Sequence, residues 1–253
     1  MNYELQRGGL WKRIAAGLFD GILVGVLTVG IAFLLSLVLN VDSYTATVEE
    51  IYADYEQAVD VRFEITQEEY EAFTDAERQN YEAAIQALNS DEDAQRATTM
   101  SFNLSLTVTT FSVLVAILVW EFLIPLKLGQ GRTLGKKIFG LCLMRTDSVA
   151  MNTMQLFTRT LLGKFTIETM MPVLIVMMIF WGIMDITGTL VLIALAIAQL
   201  LICALTRTNA LIHDLLAGTV VVDYTSQMIF SSTENLIAYQ KKIAADRAAR
   251  QTY

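Results

Sequence analysis

Two ionisable residues stand where an apolar helix would enter a membrane. Arg13 precedes the apolar block Ile14–Leu39, and Asp20 interrupts it. In a helix this seven-residue spacing puts both side chains on one face, about 20° apart. The rise of about 10.5 Å is too long for a direct ion pair, so each is expected to find its partner elsewhere. Because a carboxylate inside a bilayer is costly unless paired or hydrated, Asp20 is either an ion- or proton-binding site or half of a buried structural pair.

We expect Asp20 to be surrounded by other helices of its own chain or by a second subunit. Its candidate partners are the basic residues that can reach the inner leaflet, namely Arg13 through a neighbouring helix, Arg159, Lys164 and Arg207. Gly17 lies between Arg13 and Asp20 on the same face, and with Gly21 and Gly25 it forms a series of small residues that admits another backbone. The Asp20 face is therefore expected to point into the helix bundle or a dimer seam.

Three further ionisable residues are candidates for a functional site. Glu121 falls near the predicted end of the second apolar helix, where it is expected to snorkel to the interface or to pair with an arginine. His213, the one histidine of the chain, is followed by Asp214. One histidine beside one aspartate does not make a metal site. The pair either ties a loop together through hydrogen bonds or titrates near neutral pH.

The glycine-rich segment Gly129–Lys137 resembles a nucleotide-binding loop only superficially. Gln130 occupies the position of the first required glycine, and Lys137 stands where a serine or threonine would hold magnesium. A basic turn that places Lys136 and Lys137 at anionic lipid headgroups is the preferred interpretation. No catalytic triad, carboxylate pair or Cys/His cluster is evident. We therefore expect no catalytic residues, no metal, no cofactor and no enzyme activity.

Four apolar blocks position these residues. They are Ile14–Leu39, Leu104–Leu126, Thr169–Met184 and Thr189–Leu205. A bilayer core of about 30 Å needs about 20 helical residues, so each block can span it, the third only just. Lipid offers the backbone no hydrogen-bond partner, so each block must be helical. The predicted fold is an all-α membrane protein with about four transmembrane helices.

The segment between the first two blocks has a different character. Between Asp42 and Arg96 there are 16 acidic and 3 basic residues, a balance of −13, whereas the remainder of the chain has a balance of +5. The segment lacks Pro and Gly, and Thr66 and Thr74 each begin a capping-box pattern. We expect amphipathic helices that form either a solvated acidic cap, which we favour, or a docking site or cation-concentrating vestibule.

The basic residues of the short loops predict the orientation. Lys and Arg precede the first block, fill the loop between the second and third, and follow the fourth, whereas the third-to-fourth connection has none. Both termini are therefore expected in the cytoplasm of a cell whose plasma membrane holds the chain. The predicted regions are a first helix (1–40), an acidic extracytoplasmic helical insert (41–100), a second helix (101–126), a basic cytoplasmic loop (127–166), the third and fourth helices (167–206) and a cytoplasmic C-terminal segment (207–253).

Two short aliphatic runs lie outside these helices. Gly140–Met144 and Val220–Asp223 have strand character, and each alone would expose unpaired backbone. Pairing them would satisfy both, so the sequence predicts a small cytoplasmic two-stranded β element with His213 and Asp214 nearby.

Three segments together resemble the RDD family of bacterial integral membrane proteins. They are Leu10–Asp20, Gly131–Leu141 and His213–Val222. The resemblance implies that the namesake residues of the family are Arg13, Asp20 and Asp214. It also implies a possible role in transport, with cation/proton antiport suggested for some members. The insert is longer than the outer loop that family members often have.

Two functions are compatible with these features. The first is a small transporter of cations, protons or other small solutes, in which Asp20 binds the ion while Arg13 and Asp214 gate or tune it. Four helices rarely enclose a pathway, so a homo-oligomer or a membrane partner is expected besides the lipid bilayer. The second is a non-transporting accessory or scaffold protein whose outer domain, residues 41–100, docks an extracytoplasmic partner. Nucleic acid is not an expected partner, because no basic run with interleaved aromatic residues occurs.

Overall fold

Long apolar helices dominate the computed structural model, which describes residues 4–251. The chain is 74% helical. Within the described part, four helices are long and apolar enough to cross a membrane, and they span Leu10–Leu39, Glu92–Leu128, Thr153–Phe180 and Ile186–Leu205. A two-stranded sheet accompanies them. The predicted fold class is therefore confirmed.

The elements follow one another along the chain with few long connections. The first half contains α1 (Leu10–Leu39), α2 (Val41–Val59), α3 (Gln67–Glu71), α4 (Asp75–Ser90), α5 (Glu92–Ile117), a π-helical segment (Leu118–Leu123) and α6 (Ile124–Leu128). The second half contains α7 (Leu134–Ile138), β1 (Leu141–Arg145), α8 (Thr153–Thr158), a second π-helical segment (Arg159–Met170), α9 (Met171–Phe180), α10 (Ile186–Leu205), α11 (Ile212–Ala217), β2 (Thr219–Asp223) and α12 (Thr233–Gln251).

The third spanning helix begins earlier than its apolar block. Asn152 caps it in a reciprocal capping box with Gln155, so the helix starts at Thr153, inside the segment predicted as a basic loop. Arg159 and Lys164 consequently lie on this helix and not in a loop. Two basic residues therefore project from a spanning helix and need acidic partners.

The acidic segment is helical, as predicted. Gly30–Ser112 forms one compact unit, and the rest of the described chain forms another. Both predicted capping boxes are present, at Thr66 with Glu69 and at Thr74 with Glu77. The hydroxyl of Tyr55 also donates to a carboxylate oxygen of Asp91 at 2.6 Å.

The predicted pair of strands is also present. β1 and β2 are antiparallel, with Leu143 opposite Val221. The sequence did not indicate that the chain before α1 joins this sheet. The Gly8 N–H donates to the Val221 carbonyl at 3.2 Å, which extends the pairing at the free edge of β2. Ala16 of α1 packs with Leu141, Leu143 and Val221, so the sheet fixes the start of the first spanning helix.

Candidate functional site

Asp20 is buried and surrounded by hydrogen-bond donors. Its side chain is on α1, and the residue is only 1% exposed. The Trp120 indole N–H donates to Oδ1 at 3.0 Å, and the Gly135 backbone N–H donates to the same atom at 2.9 Å. The Thr133 hydroxyl donates to Oδ2, and the Lys136 ammonium lies 4.0 Å from it. This carboxylate therefore joins three segments of the chain.

The short helix α7 is built to meet this carboxylate. Thr133 caps it by accepting a hydrogen bond from the Lys136 N–H at 3.3 Å. Free N–H groups at a helix start attract an anion, and here the Asp20 carboxylate fills that position. A side chain at Gly135 would put its Cβ 2.5 Å from the Ala16 carbonyl oxygen. Glycine is thus what allows α7 to approach α1 so closely.

Lys136 points inward, which corrects the prediction that it contacts lipid headgroups. The residue is 8% exposed, whereas Lys137 beside it is exposed. Its ammonium lies 3.2 Å from the Thr133 hydroxyl oxygen and 3.7 Å from Oε2 of Glu121. Burial lowers the pKa of Lys136 to about 8, although Glu121 favours its charged form. Lys136 points inward because two acids lie there, Asp20 and Glu121, which the sequence analysis did not pair with it.

Glu121 is likewise buried, and the expectation that it snorkels or pairs with an arginine was wrong. The helix continues past it to Leu128, so Glu121 does not stand at a helix end. The residue is 2% exposed, and its Oε1 accepts a hydrogen bond from the Lys164 ammonium. Its Oε2 faces Lys136 but has no hydrogen-bond partner among the described residues. Glu121 is thus paired with two lysines.

Asp214 forms the centre of a second buried cluster. The Arg159 guanidinium donates to its Oδ1 through Nε at 3.1 Å, and Nη2 lies 3.0 Å away. Arg13 approaches Oδ2 at 3.7 Å and donates to two backbone carbonyls, those of Thr208 and Asn209. Burial alone would raise the pKa of Asp214, but the charges of Arg159, His213 and Arg13 hold it well below its usual range.

His213 connects this cluster to the third spanning helix. Its Nδ1 lies 2.6 Å from Oε2 of Glu168, and its backbone N–H donates to Oε1 of the same residue at 3.1 Å. Its Nε2 lies 3.7 Å from Oδ2 of Asp214. Burial lowers the pKa of the imidazole, and the positive charge of Arg159 lowers it further. The loop-tying interpretation of the His213–Asp214 pair fits this geometry.

The two clusters are adjacent and together balanced in charge. Two consecutive residues of the third spanning helix contact the two clusters. Arg159 binds Asp214, and the Thr160 hydroxyl donates to the backbone carbonyl of Glu121 at 3.0 Å. With His213 neutral, the charged members are the acids Asp20, Glu121, Glu168 and Asp214 and the bases Arg13, Lys136, Arg159 and Lys164. Within the described residues no group of three or more His, Cys, Asp and Glu side chains is arranged to hold a metal.

Some residues that the sequence analysis assigned to the surroundings of Asp20 do not join the two clusters. Arg207 is exposed and makes none of the contacts that hold them together. A Cβ added at Gly17, Gly21 or Gly25 would meet no atom of the described chain within 4 Å. The expected close approach of another backbone is therefore not made by any part of the chain that the structure describes.

Other members were not singled out from the sequence. Asp20 accepts hydrogen bonds from the indole N–H of Trp120, the hydroxyl of Thr133 and the backbone N–H of Gly135. Such groups are common in proteins, so these residue types alone did not indicate a site. Glu168 directly precedes the apolar block Thr169–Met184, and the sequence analysis assigns it no role. A signal was present, however, because Glu168 follows Lys164 by one helical turn at the edge of a membrane span.

Comparison with known proteins supports the resemblance found in the sequence. The model of the RDD family matches residues 7–218. No curated protein and no solved structure matches the chain. The matched region contains Arg13, Asp20 and Asp214, the three residues to which the namesake positions were assigned. The chain therefore belongs to the RDD family, and it is a membrane protein of that family with four apolar helices.

Proposed function

We propose that the chain transports small cations, coupled to protons, through the region of its buried charged clusters. The observation that carries this proposal is a set of four acids and four bases on or beside helices long enough to span a bilayer. Asp20, Glu121, Asp214, Lys136 and Arg159 are buried, and the other three are half-buried. Ionisable groups in a membrane are expensive to maintain and mark ion or proton pathways by default. Lys136 adds a group whose pKa is lowered by burial to about 8, near the pH range where proton coupling operates.

Asp20 has a supporting role in this proposal. Both of its carboxylate oxygens already accept hydrogen bonds, so it holds α7 and Lys136 in place. Glu121 is the better candidate for exchange, because its Oε2 is free of hydrogen bonds. Arg13 and Asp214 fix the neighbouring cluster and set the electrostatic field around it.

Transport is tested by reconstituting the protein in liposomes. We expect a cation gradient to drive proton flux in wild-type vesicles above the level of empty vesicles, and Glu121→Gln to abolish it. Asp147→Asn, at an exposed ion pair with Arg145, is the matched control and should leave the flux unchanged. Melting temperatures in detergent identify a variant that fails because it unfolds. Wild-type vesicles without flux, for each of several cations, would refute the proposal.

The proposed orientation places both termini in the cytoplasm and residues 41–100 outside the plasma membrane. Its support is the distribution of Lys and Arg in the short loops. Single cysteines at Ser90 and Ser231, both exposed positions, distinguish the two sides. In a background without Cys142 and Cys203, a membrane-impermeant thiol reagent applied to intact cells should label Ser90→Cys alone. Labelling of Ser231→Cys in intact cells would reverse the orientation.

A second candidate function is a membrane accessory protein with an outer docking domain. The observation in its favour is that Gly30–Ser112 forms a compact unit of its own. A cavity of about 260 Å³ in this unit is lined by Tyr52, Leu88, Asn89, Ala94, Gln95, Thr98 and Thr99. This candidate predicts no ion flux in liposomes, so the transport experiment decides between the two. Either function is compatible with a second copy or a membrane partner, because no residue in the most apolar stretch of Leu10–Leu39 is fully buried within the described chain.

A further inference from the structure

The second π-helical segment, Arg159–Met170, is 12 residues long. Most π-helical segments are single turns inside an α-helix, and they occur frequently at functional sites. Here the Met171 N–H donates to the Thr166 carbonyl, five residues earlier in the chain. The hydroxyls of Thr166 and Thr169 also donate to carbonyls five residues earlier, at 2.9 Å and 2.8 Å. Backbone and side chains of this segment therefore follow the same wide winding.

The wide winding brings the two ends of the segment onto one face. Arg159 and Glu168 are nine residues apart, so in an α-helix they would point in opposite directions, about 180° apart. With the roughly 4.4 residues per turn that i→i+5 hydrogen bonds require, they lie only about 20° apart. Arg159 contacts Asp214 and Glu168 contacts His213, two neighbouring residues of α11. These two contacts can therefore exist together in the π winding and not in an α winding.

The middle of the segment faces the same way. Lys164 lies about 50° from Arg159 in the π winding but would lie about 140° from it in an α winding. Its ammonium donates to the carboxylate of Glu121. A Cβ added at Gly163 would lie 2.5 Å from Cα of His213, so this turn also packs directly on α11. If Arg159 kept its place, an α winding would remove Lys164 from Glu121.

The two ends of the segment are anchored differently. At its start, Nη2 of Arg159 lies 3.0 Å from Oδ1 of Asp214, and the Thr160 hydroxyl donates to the Glu121 carbonyl at 3.0 Å. At its end, α9 contains no polar side chain, and none of its residues is fully buried within the described chain. Rotation of α9 about its own axis would therefore expose no polar side chain to lipid. A change of winding would be accommodated at this end.

A proline lies where the winding changes. Pro172 is the second residue of α9 and has no N–H to donate. In an α-helix its ring would clash with the carbonyl four residues earlier, which belongs to Glu168. Pro172 therefore disfavours the α winding at the point where Glu168 must remain beside His213.

We propose that Arg159–Met170 is a two-state helix. In one state the segment has the π winding, held by the contact of Glu168 with His213. In the other it has an α winding, in which that contact is broken and α9 has turned about its own axis. The second state frees Glu121 from Lys164 while Arg159 stays on Asp214. This switch is a property of the helix and does not depend on whether the chain transports an ion.

Distances between pairs of spin labels measure the rotation of α9. Full-length protein in detergent, without Cys142 and Cys203, carries one label at the exposed Lys137 of α7. The second label is placed in turn at three successive positions of α9, Leu174, Ile175 and Val176. The change of winding turns α9 by about half a turn or more. Because a helix with its side chains is about 10–12 Å wide, at least one of the three distances should change by about 5 Å or more.

Two substitutions should favour the α winding. Glu168→Ala removes the contact with His213, and Pro172→Ala removes the clash of the ring and restores an N–H group. Each should enlarge a second population of distances that is minor in the wild type. Asp147→Asn, at an exposed ion pair, is the matched control and should give the wild-type distances. A label pair at Lys137 and Met154, which lies before the segment, should keep one distance in every variant.

Unchanged distances at all three α9 positions in both folded variants would overturn the proposal. An equal shift of the pair at Lys137 and Met154 would also overturn it, because the whole helix would then move without rewinding. Melting temperatures identify a variant that fails to fold. If Glu168→Ala is such a variant, Pro172→Ala decides alone, since Pro172 is in neither charged cluster.

Discussion

Replacing Asp214 with asparagine is expected to lower the free energy of unfolding by about 3–5 kcal/mol, as is typical when one partner of a buried ion pair is removed. Asp214 is 1% exposed and is the shared partner of Arg13 and Arg159. The substitution leaves both guanidinium groups facing a neutral amide, with the Arg13 side chain 11% and the Arg159 side chain 3% exposed. The free energy is measured by titrating the protein from mild detergent into a denaturing detergent.

The pH dependence provides a second readout of Asp214. Its pKa in the folded protein lies well below the value of about 3.9 for an unfolded chain, so its charge stabilises the fold above that value. This stabilisation is lost as the pH falls through the folded-state pKa. The difference between the wild type and Asp214→Asn should therefore shrink as the pH falls from about 5 into strong acid.

An exposed pair and a double substitution complete the Asp214 experiment. Asp147→Asn removes an aspartate that also pairs with an arginine, but in a pair whose side chains are 38% and 40% exposed. Such surface pairs contribute at most about 1 kcal/mol. Adding Arg159→Met to Asp214→Asn should cost less than the two single changes combined, because the same interaction is removed. Equal effects at Asp147 and Asp214 would contradict the importance of the buried cluster.

Much of the fold follows from local features of the sequence. Runs of apolar residues predict the spans because lipid leaves the backbone no alternative to a helix. The capping boxes at Thr66 and Thr74 depend on residues three positions apart and are therefore visible in the sequence. The start of the third span is different. Arg159 and Lys164 look like loop residues until Asp214 and Glu121 are known to neutralise them.

The residues of the candidate site were more predictable from the sequence than the pairs that these residues form. The separation of Arg13 from Asp20 follows from helix geometry, and the structure gives them different partners. The partner of Asp20 was not among the four bases predicted for it. Lys136 and Lys137 are equivalent in the sequence, and only the contact of α7 with α1 turns one inward and the other outward. Such long-range contacts leave no local pattern.

Gly135→Ala is expected to destabilise the protein by about 2–5 kcal/mol, because overpacking and the loss of buried hydrogen bonds act together. The new Cβ would lie 2.5 Å from the Ala16 carbonyl oxygen and 2.8 Å from Oδ2 of Asp20. The Ala16 oxygen belongs to the backbone of α1, so it cannot move aside cheaply. Helix α7 must instead withdraw, and Asp20 then loses the Gly135 N–H and the Thr133 hydroxyl.

Gly17→Ala, on the same helix as Asp20, is the matched control for this second experiment. A Cβ at Gly17 meets nothing in the described chain within 4 Å, and alanine favours a helix over glycine by about 1 kcal/mol. The control should therefore stabilise the protein slightly while Gly135→Ala destabilises it, in the same detergent titration.

If Gly135→Ala were as stable as the wild type, α7 would not depend on its close contact with α1. If Gly17→Ala were instead destabilising, and the mass of the protein measured by light scattering fell relative to the wild type, a second subunit would occupy the glycine face of α1. The opposite signs expected for two Gly→Ala substitutions thus separate contacts within the chain from contacts between chains.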